Sequence, residues 1–374
     1  MKIAVFTDSF PPSFGGAENA VARYSAALSK SHEVIVFAPD NNKPYDDKVY
    51  PFKVVRVKSL QVSPNDYYAM PFIDRKVKRT LDAFSPDVMH FQTVGQMAAY
   101  CTRYAKKHGI PTVSTVHTKY YYCYKHAFKS TIVSKLLLRC VMNRVKRATA
   151  VCAVSESMKQ TLKSYGVANP ITVIRNGGEK KQPPLEKNRL SNKFTLLYVG
   201  LVISYKNIGF SLLSLAELKK KRDDFIFYIV GKGPHIKKFS KLSKKLGLSE
   251  NVIFVGGVAG KEELNRYYSG ADLMLFPSIF DTDGLVILEG ANNRLPTLTI
   301  RGTGASERLT DNVTGFVEEN SPKAFAQRIE SLMENKALLN TVGENAANIF
   351  TDWETTAKNY TKIYQEILGL KKDS

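Results

Sequence analysis

Residues 276–290 read FPSIFDTDGLVILEG and set Asp281, Asp283 and Glu289 around one glycine, Gly284. Carboxylates in that order suit three chemistries. An aspartate at the tip of a strand can attack a phosphoryl group, with the acid two residues on as proton donor. Two carboxylates two apart can hold Mg2+ or Mn2+ against substrate phosphates. A loop that turns into a helix at a glycine can cradle a nucleotide-linked sugar with main-chain amides and no metal. The elements that carry the loop have to decide among them.

Short apolar runs alternate with helical patterns along most of the chain. IAVF, EVIVFAP, VVRV, DVMHF, TVSTVH, TAVCAV and ITVI precede residue 176, and FTLLYVG, FIFYIVG, VIFVG, DLMLFP and PTLTI follow from 194. Each is rich in Val, Ile and Phe and bounded by Gly, Pro, Asp or Asn, as buried parallel strands are. AENAVARYSAALSK and GFSLLSLAELKKK carry the helical period between them. The stretch 179–192, EKKQPPLEKNRLSN, has charge, two prolines and no apolar period, which marks a linker. The fold class is α/β, with two Rossmann-like doubly wound domains, 1–178 and 193–353, facing across a cleft. The closing amphipathic helix, 354–374, is expected to pack back on the first domain. Open sheets of this kind bind ligands at the carboxyl ends of their strands.

Composition narrows the partners. Lysine and arginine number 54 against 34 aspartates and glutamates, a formal net charge of +20, so anionic partners are expected. The basic residues are spread along helices and form no nucleic-acid module, which argues against nucleic acid and for an anionic membrane surface. Cys101, Cys123, Cys140 and Cys152 make no CxxC pair and no zinc spacing, so reduced thiols and a cytoplasmic chain are expected. The opening MKIAVFTD has an apolar run too short for a signal peptide, and no run approaches 18 apolar residues. Peripheral contact with the inner face of the cell membrane is the expected exception to a cytoplasmic location.

The three chemistries can now be weighed. IFDTDGLV looks like the haloacid dehalogenase signature, but Pro277 and Ser278 interrupt the run DLMLF before Asp281 arrives, and proline does not sit inside a central strand. A DxD metal pair suits a single Rossmann-like domain better than two. The metal-free cradle gains from its company. Pro277-Ser278-Ile279-Phe280-Asp281-Thr282-Asp283-Gly284-Leu285, then Glu289 and Leu295-Pro296, resembles the E-x7-E signature of glycosyltransferase family 4, P-S-x-x-E-G-F-G-L-x-x-x-E. Other family motifs have counterparts in order: FPPSFGGAE, STVHT, VIRNGGE, YVGLVISYKNI, IVGKGP and GTGASERLTDNVTGFV. The resemblance spans nearly the whole chain and implies a GT-B fold and retaining transfer of a sugar from a nucleotide-diphosphate donor, UDP-sugars being the default.

It also implies roles. Gly15 and Gly16, between the first strand and first helix, offer side-chain-free amides to the diphosphate, as do Gly284, Leu285 and Val286. Lys206 reaches the diphosphate as a point charge. Glu289 accepts from the ribose hydroxyls, Asp281 faces the donor sugar in place of the family's first Glu, and His117 touches that sugar's far hydroxyl. Asn176 near the hinge, Gly231 in the VGxGP motif and Glu307 after the Gly-rich turn have weaker claims, and Asp283 has no family role. Two departures stand out: Leu201 where the family has arginine, and Tyr205 where it has glutamate. Arg294, Arg301 or Lys232 are candidates for the missing cation. No cofactor and no metal are expected, since Lys206 and amides can neutralise the diphosphate.

The acceptor side is less informative. In 126–150, Val133, Leu136, Leu137, Cys140, Val141 and Val145 share one helical face, read either as a sheet-packing stripe or as a contact for anionic lipid. Tyr120, Tyr121, Tyr122 and Tyr124, with Tyr67 and Tyr68, could floor an acceptor groove, and PFIDRKVKRT adds basic charge. A glycan or lipid-linked acceptor is expected. The rival reading, prompted by Leu201 and Asp281, is a degenerate protein that binds a nucleotide-sugar or glycan without turnover.

Overall fold

The computed structural model describes residues 1–12, 16–41, 45–62, 67–179, 189–258 and 260–370. The chain divides into two compact units, Met1–Gly177 with Thr351–Ser374, and Gly178–Phe350. The return to the first unit begins at Thr351, ahead of the expected 354, because Asp352 caps the last helix by accepting from Thr355 N and belongs with it. Of the expected linker, 180–188 lie outside the described residues.

The first unit is built on a parallel sheet of β1 (Lys2–Phe6), β2 (Glu33–Pro39), β3 (Lys53–Val57), β6 (Val88–Phe91), β7 (Thr112–Val116), β8 (Ala150–Ala153) and β9 (Ile171–Val173), in the order β3-β2-β1-β6-β7-β8-β9. A short antiparallel hairpin, β4 (Ser59–Gln61) and β5 (Tyr67–Ala69), was not expected from the sequence, since three-residue strands carry too little period to read. Its helices are α1 (Gly16–Leu28), α2 (Arg75–Phe84), α3 (Gln96–His108), α4 (Tyr120–Phe128), α5 (Thr131–Lys146) and α6 (Glu156–Ser164). The apolar runs form the sheet because nearly every residue of β1, β2, β6 and β7 is buried, as helices on both faces require.

The second unit repeats the plan with β10 (Phe194–Val199), β11 (Phe225–Val230), β12 (Val252–Gly256), β13 (Leu273–Phe276), β14 (Thr297–Ile300) and β15 (Phe316–Glu318), ordered β12-β11-β10-β13-β14-β15. Its helices are α7 (Ile208–Lys219), α8 (Ile236–Lys245), α9 (Lys261–Gly270), α10 (Leu285–Ala291), α11 (Pro322–Glu334) and α12 (Lys336–Asn345). In both sheets the winding reverses beside the first strand, between β1 and β6 and between β10 and β13, and the loops leaving those strands are where a doubly wound sheet takes a ligand.

The last helix, α13 (Trp353–Ile367), packs on α1 and closes the first core. Tyr24, Tyr360 and Tyr364 meet around His90, which is fully buried on β6. Tyr364 Oη lies 2.6 Å and Tyr24 Oη 2.8 Å from His90 Nδ1, while His90 Nε2 is 2.8 Å from Thr115 Oγ1. Burial first, and the nearby His117 second, lower the His90 pKa to about 3, so the ring is neutral.

One expectation about α5 is corrected. Its buried residues are Ser134, Val141, Met142 and Val145, whereas Val133, Leu136 and Cys140 are exposed. The helix is apolar around more than one face, and burial of the face that carries Ser134, Val141 and Val145 leaves the 133-136-140 stripe outward. Tyr120 and Tyr124 pack against the first core and Tyr122 is exposed, so the tyrosine run is divided between core and surface.

Candidate active site

Lys206 and Asp281 sit in the two loops that leave β10 and β13, one on each side of the reversal in the second sheet. Lys206 Nζ donates to Asp281 Oδ1 at 2.5 Å, with both side chains 19% exposed. Asp281 Oδ2 is buried with no hydrogen-bond partner. Two aromatic rings hold the loops together: Tyr205, beside Lys206, packs on Phe280, beside Asp281, at 4.7 Å between centroids. The residue that departs from the family pattern thus has a packing role here. Asn207 adds a second tie, donating from Nδ2 to Pro277 O at 3.1 Å.

The loop reaches α10 through Gly284, whose φ of 67° is left-handed, a conformation that favours glycine. No side chain caps α10 at Gly284, and Leu285 and Val286 begin the helix half-buried. Glu289 lies four residues further along α10 and is exposed, its Oε2 accepting from Tyr268 Oη at 2.7 Å. Burial, and then the Glu289 carboxylate, push the Tyr268 phenol well above its ordinary value, so it stays a donor. Tyr198, buried below the Lys206 loop and raised by burial and then by Asp281, likewise donates to Leu201 O at 3.0 Å.

Asp283 now has a contact to explain it. Arg308 Nη2 lies 2.6 Å from Asp283 Oδ1 with the two side chains 1% and 4% exposed, and Arg308 Nε donates to Asp283 O at 2.8 Å. The arginine holds side chain and main chain of the residue before Gly284, which sets the direction in which the loop enters α10. Arg308 was missed because its segment was read for its glycines and Glu307. The turn below is as tight: a Cβ on Gly304 would strike Thr282 O, and one on Gly231 would strike Gly200 O. Gly231 therefore serves close packing of two strand ends. Glu307, half-buried, stands beside Arg308 on the one-turn helix Ser306–Arg308.

Of the candidates for the missing cation, Arg294 pairs with Glu344 at 3.1 Å and Arg301 with Glu319 at 2.9 Å. Lys232 is exposed at the end of β11 with its stem against Gly257. Leu201 is exposed. Among the described residues no group of three or more His, Cys, Asp or Glu is placed to hold a metal ion, and no helix is long and apolar enough to cross a membrane.

Four predicted residues, His117, Gly15, Gly16 and Asn176, belong to the first unit. His117 follows β7, and its Nε2 donates to Gln92 Oε1 at 2.7 Å, an amide oxygen being able only to accept. Gln92, missed in the sequence, leaves β6 two residues after His90 and so ties His117 to the buried cluster at α13. Gly16 opens α1, while Gly15 lies outside the described residues. Asn176 is buried in the segment after β9, next to Gly177, where a Cβ would strike Trp353. Asp8, also unpredicted, fills the reversal of the first sheet, accepting from Thr93 Oγ1 at 2.6 Å, Gly95 N at 2.8 Å and Met97 N at 3.0 Å.

Comparison with known proteins agrees with this architecture. Residues 14–179 match the model of Glycosyltransferase Family 4, and 181–349 that of Glycosyl transferases group 1. The chain is 25% identical to alpha-monoglucosyldiacylglycerol synthase of Streptococcus pneumoniae, over 98% of this chain and 85% of that one. It is 22% identical to the GDP-mannose-dependent alpha-(1-6)-phosphatidylinositol monomannoside mannosyltransferase of Mycobacterium tuberculosis, over 95% and 96%. Anabaena Alr3699/HepE, solved in complex with UDP, superposes with a TM-score of 0.77 at 19% identity, over 98% of this chain and all of the other. The fold is GT-B.

Proposed function

Since this chain is a family 4 glycosyltransferase and a hexosyltransferase, we propose that it moves a sugar, with retention, from a nucleotide-diphosphate donor to a hydroxyl of a lipid-linked or glycan acceptor. The observation that carries the reading is the Lys206–Asp281 pair, set at the reversal of the second sheet with one Asp281 oxygen buried and unbonded. In this reading Lys206 meets the diphosphate, the first amides of α10 meet it from the other side, and Glu289 accepts from the ribose. Asp281 Oδ2 takes a sugar hydroxyl. UDP-sugars are favoured, a UDP complex being known for a protein of the same fold, while the mannosyltransferase relative named for GDP-mannose keeps that donor in the screen. The lipid acceptors in the relatives' names support a glycolipid or lipid-linked glycan.

The chemistry asks little covalent work of the protein. The bond from the anomeric carbon to the diphosphate oxygen breaks, and the acceptor oxygen bonds to that carbon on the face being vacated. The acceptor's proton passes to a phosphate oxygen. Lys206 stabilises the charge that grows on the leaving group, and positioning supplies most of the rest. No side-chain nucleophile is required.

A thermal-shift screen of UDP- and GDP-sugars tests the donor, because a ligand that binds only the folded chain raises its melting point. One donor is expected to do so, and Glu289→Ala is expected to abolish that shift while leaving the melting point without ligand unchanged. A full shift in the variant would remove Glu289 from the ribose. Product analysis of the anomeric configuration then decides retention.

A further inference from the structure

The outward face of α5 has no protein partner in the described residues that would explain its apolarity. Ile132 is 81% and Leu136 68% exposed, and Val133 and Cys140 are exposed beside them. At 100° per residue these four share a stripe opposite Ser134, Val141 and Val145, which face the core. Lys135 and Arg139 flank the stripe, both exposed. The preceding α4 continues it with exposed Tyr122 and Phe128, and Lys125 and Lys129 stand beside Phe128. From Asp87 to Glu156 the chain has no acidic residue between those two, while lysines and arginines recur throughout. A helix already committed to the core on one side therefore carries a second, apolar and basic side in water.

We propose that this face of α4 and α5 seats the enzyme on an anionic lipid bilayer, with Ile132, Leu136 and Phe128 entering the headgroup boundary and Lys129, Lys135 and Arg139 meeting lipid phosphates. The inference rests on the reading above of a lipid-linked acceptor, which a chain with no membrane-crossing helix among its described residues has to meet at a membrane surface. Charge complementarity chooses the bilayer over a protein partner: a long acid-free segment, basic at both ends of an apolar stripe, matches a surface uniform in negative charge and soft in the plane. A second apolar group lies close by in the same unit. Leu60 and Tyr68 of the β4–β5 hairpin and Phe72 and Ile73 after it are also exposed, and α3 packs against both β5 and α5. Exposed large apolar residues of the second unit are scattered singly, as on ordinary surfaces.

Flotation of the full chain with phosphatidylcholine vesicles, and with vesicles that also contain phosphatidylglycerol, tests the surface. The wild type is expected to float with the anionic vesicles at low salt, far less with phosphatidylcholine alone, and to be released as salt rises. Ile132→Glu with Leu136→Glu is expected to lower the bound fraction about tenfold or more, two aliphatic side chains having lost their burial. Lys135→Ser with Arg139→Ser is expected to weaken anionic binding and flatten its salt dependence. Each double variant keeps the wild-type melting point and nucleotide-sugar shift, which separates a lost surface from a lost fold. Undiminished flotation of Ile132→Glu/Leu136→Glu overturns the proposal, as does equal binding to both vesicle types. So does a wild type that ignores vesicles and sediments as a dimer which that variant breaks, since a second copy would then own the face. A wild type that floats as expected but answers no nucleotide-sugar leaves the surface standing and sinks the donor reading.

Discussion

An ammonium has three protons, so Lys206 can hold Asp281 and still offer protons to a phosphate oxygen. The pair thereby pre-sets the position of the one cation that the reading assigns to the leaving group. Asp283 and Arg308 work differently. Both are almost wholly buried, and a charge in that position is tolerable only because the other is there. Arg308→Met strands a carboxylate in the interior and is expected to cost about 3–5 kcal/mol in urea unfolding. Asp283→Leu together with Arg308→Met removes both charges and is expected to recover most of that stability. Turnover of the double variant should still fall, because the guanidinium also holds the Asp283 carbonyl that aims the loop at α10. Full activity in the double variant would reduce the pair to packing. Asp281, Glu289 and Lys206 were legible through the resemblance of their segments to family motifs, residue type and spacing alone having left three chemistries open. Arg308, Tyr268 and Gln92 were not: each acts from another element, and only the tertiary structure sets it against its partner.

At the scale of elements, α13 and β6 meet in the hydroxyl cluster around His90. The ring titrates at about 3 in the folded chain against an ordinary 6.5, chiefly because burial disfavours its charged form. Between those values the unfolded chain binds a proton that the folded chain does not. The stability from this group is therefore complete above pH 6.5 and is lost as pH falls toward 3, at up to about 1.4 kcal/mol per pH unit. Urea midpoints measured from about pH 7 down to about pH 5 should fall with acid, and His90→Gln, less stable at neutral pH, should show a shallower fall. Equal slopes would place the acid sensitivity elsewhere. The helices themselves were readable from their period, and α1, α7 and α13 lie where it puts them. Period fails where a helix has two apolar faces. On α5 the residues at 133, 136 and 140 and those at 134, 141 and 145 both keep helical spacing, and only the sheet beneath decides which set is buried.

At the scale of the molecule, the doubling of the Rossmann-like plan was visible because two sets of buried strands flank a stretch without apolar period. The return of the chain to its first unit at Thr351 depends instead on a cap and on one aromatic side chain. Trp353 is the single tryptophan, buried beside Gly177 in the first unit. Its fluorescence consequently reports the first core, while the proposed donor contacts at Lys206, Asp281 and Glu289 all lie in the second. Each unit has its own hydrophobic core and is expected to unfold as its own transition. A donor present at about 100 times its dissociation constant contributes about 2.7 kcal/mol to the state that binds it. For a unit of this size that corresponds to roughly 5–10 °C in melting temperature. The calorimetric transition of the second unit should rise by that much on adding the donor, with the Trp353 fluorescence transition moving by far less. Should the fluorescence transition move as far as the calorimetric one, nucleotide binding would draw on the first unit as well, through the contacts that the family resemblance implies for Gly16 and His117, and the donor contacts could not be confined to the loops after β10 and β13.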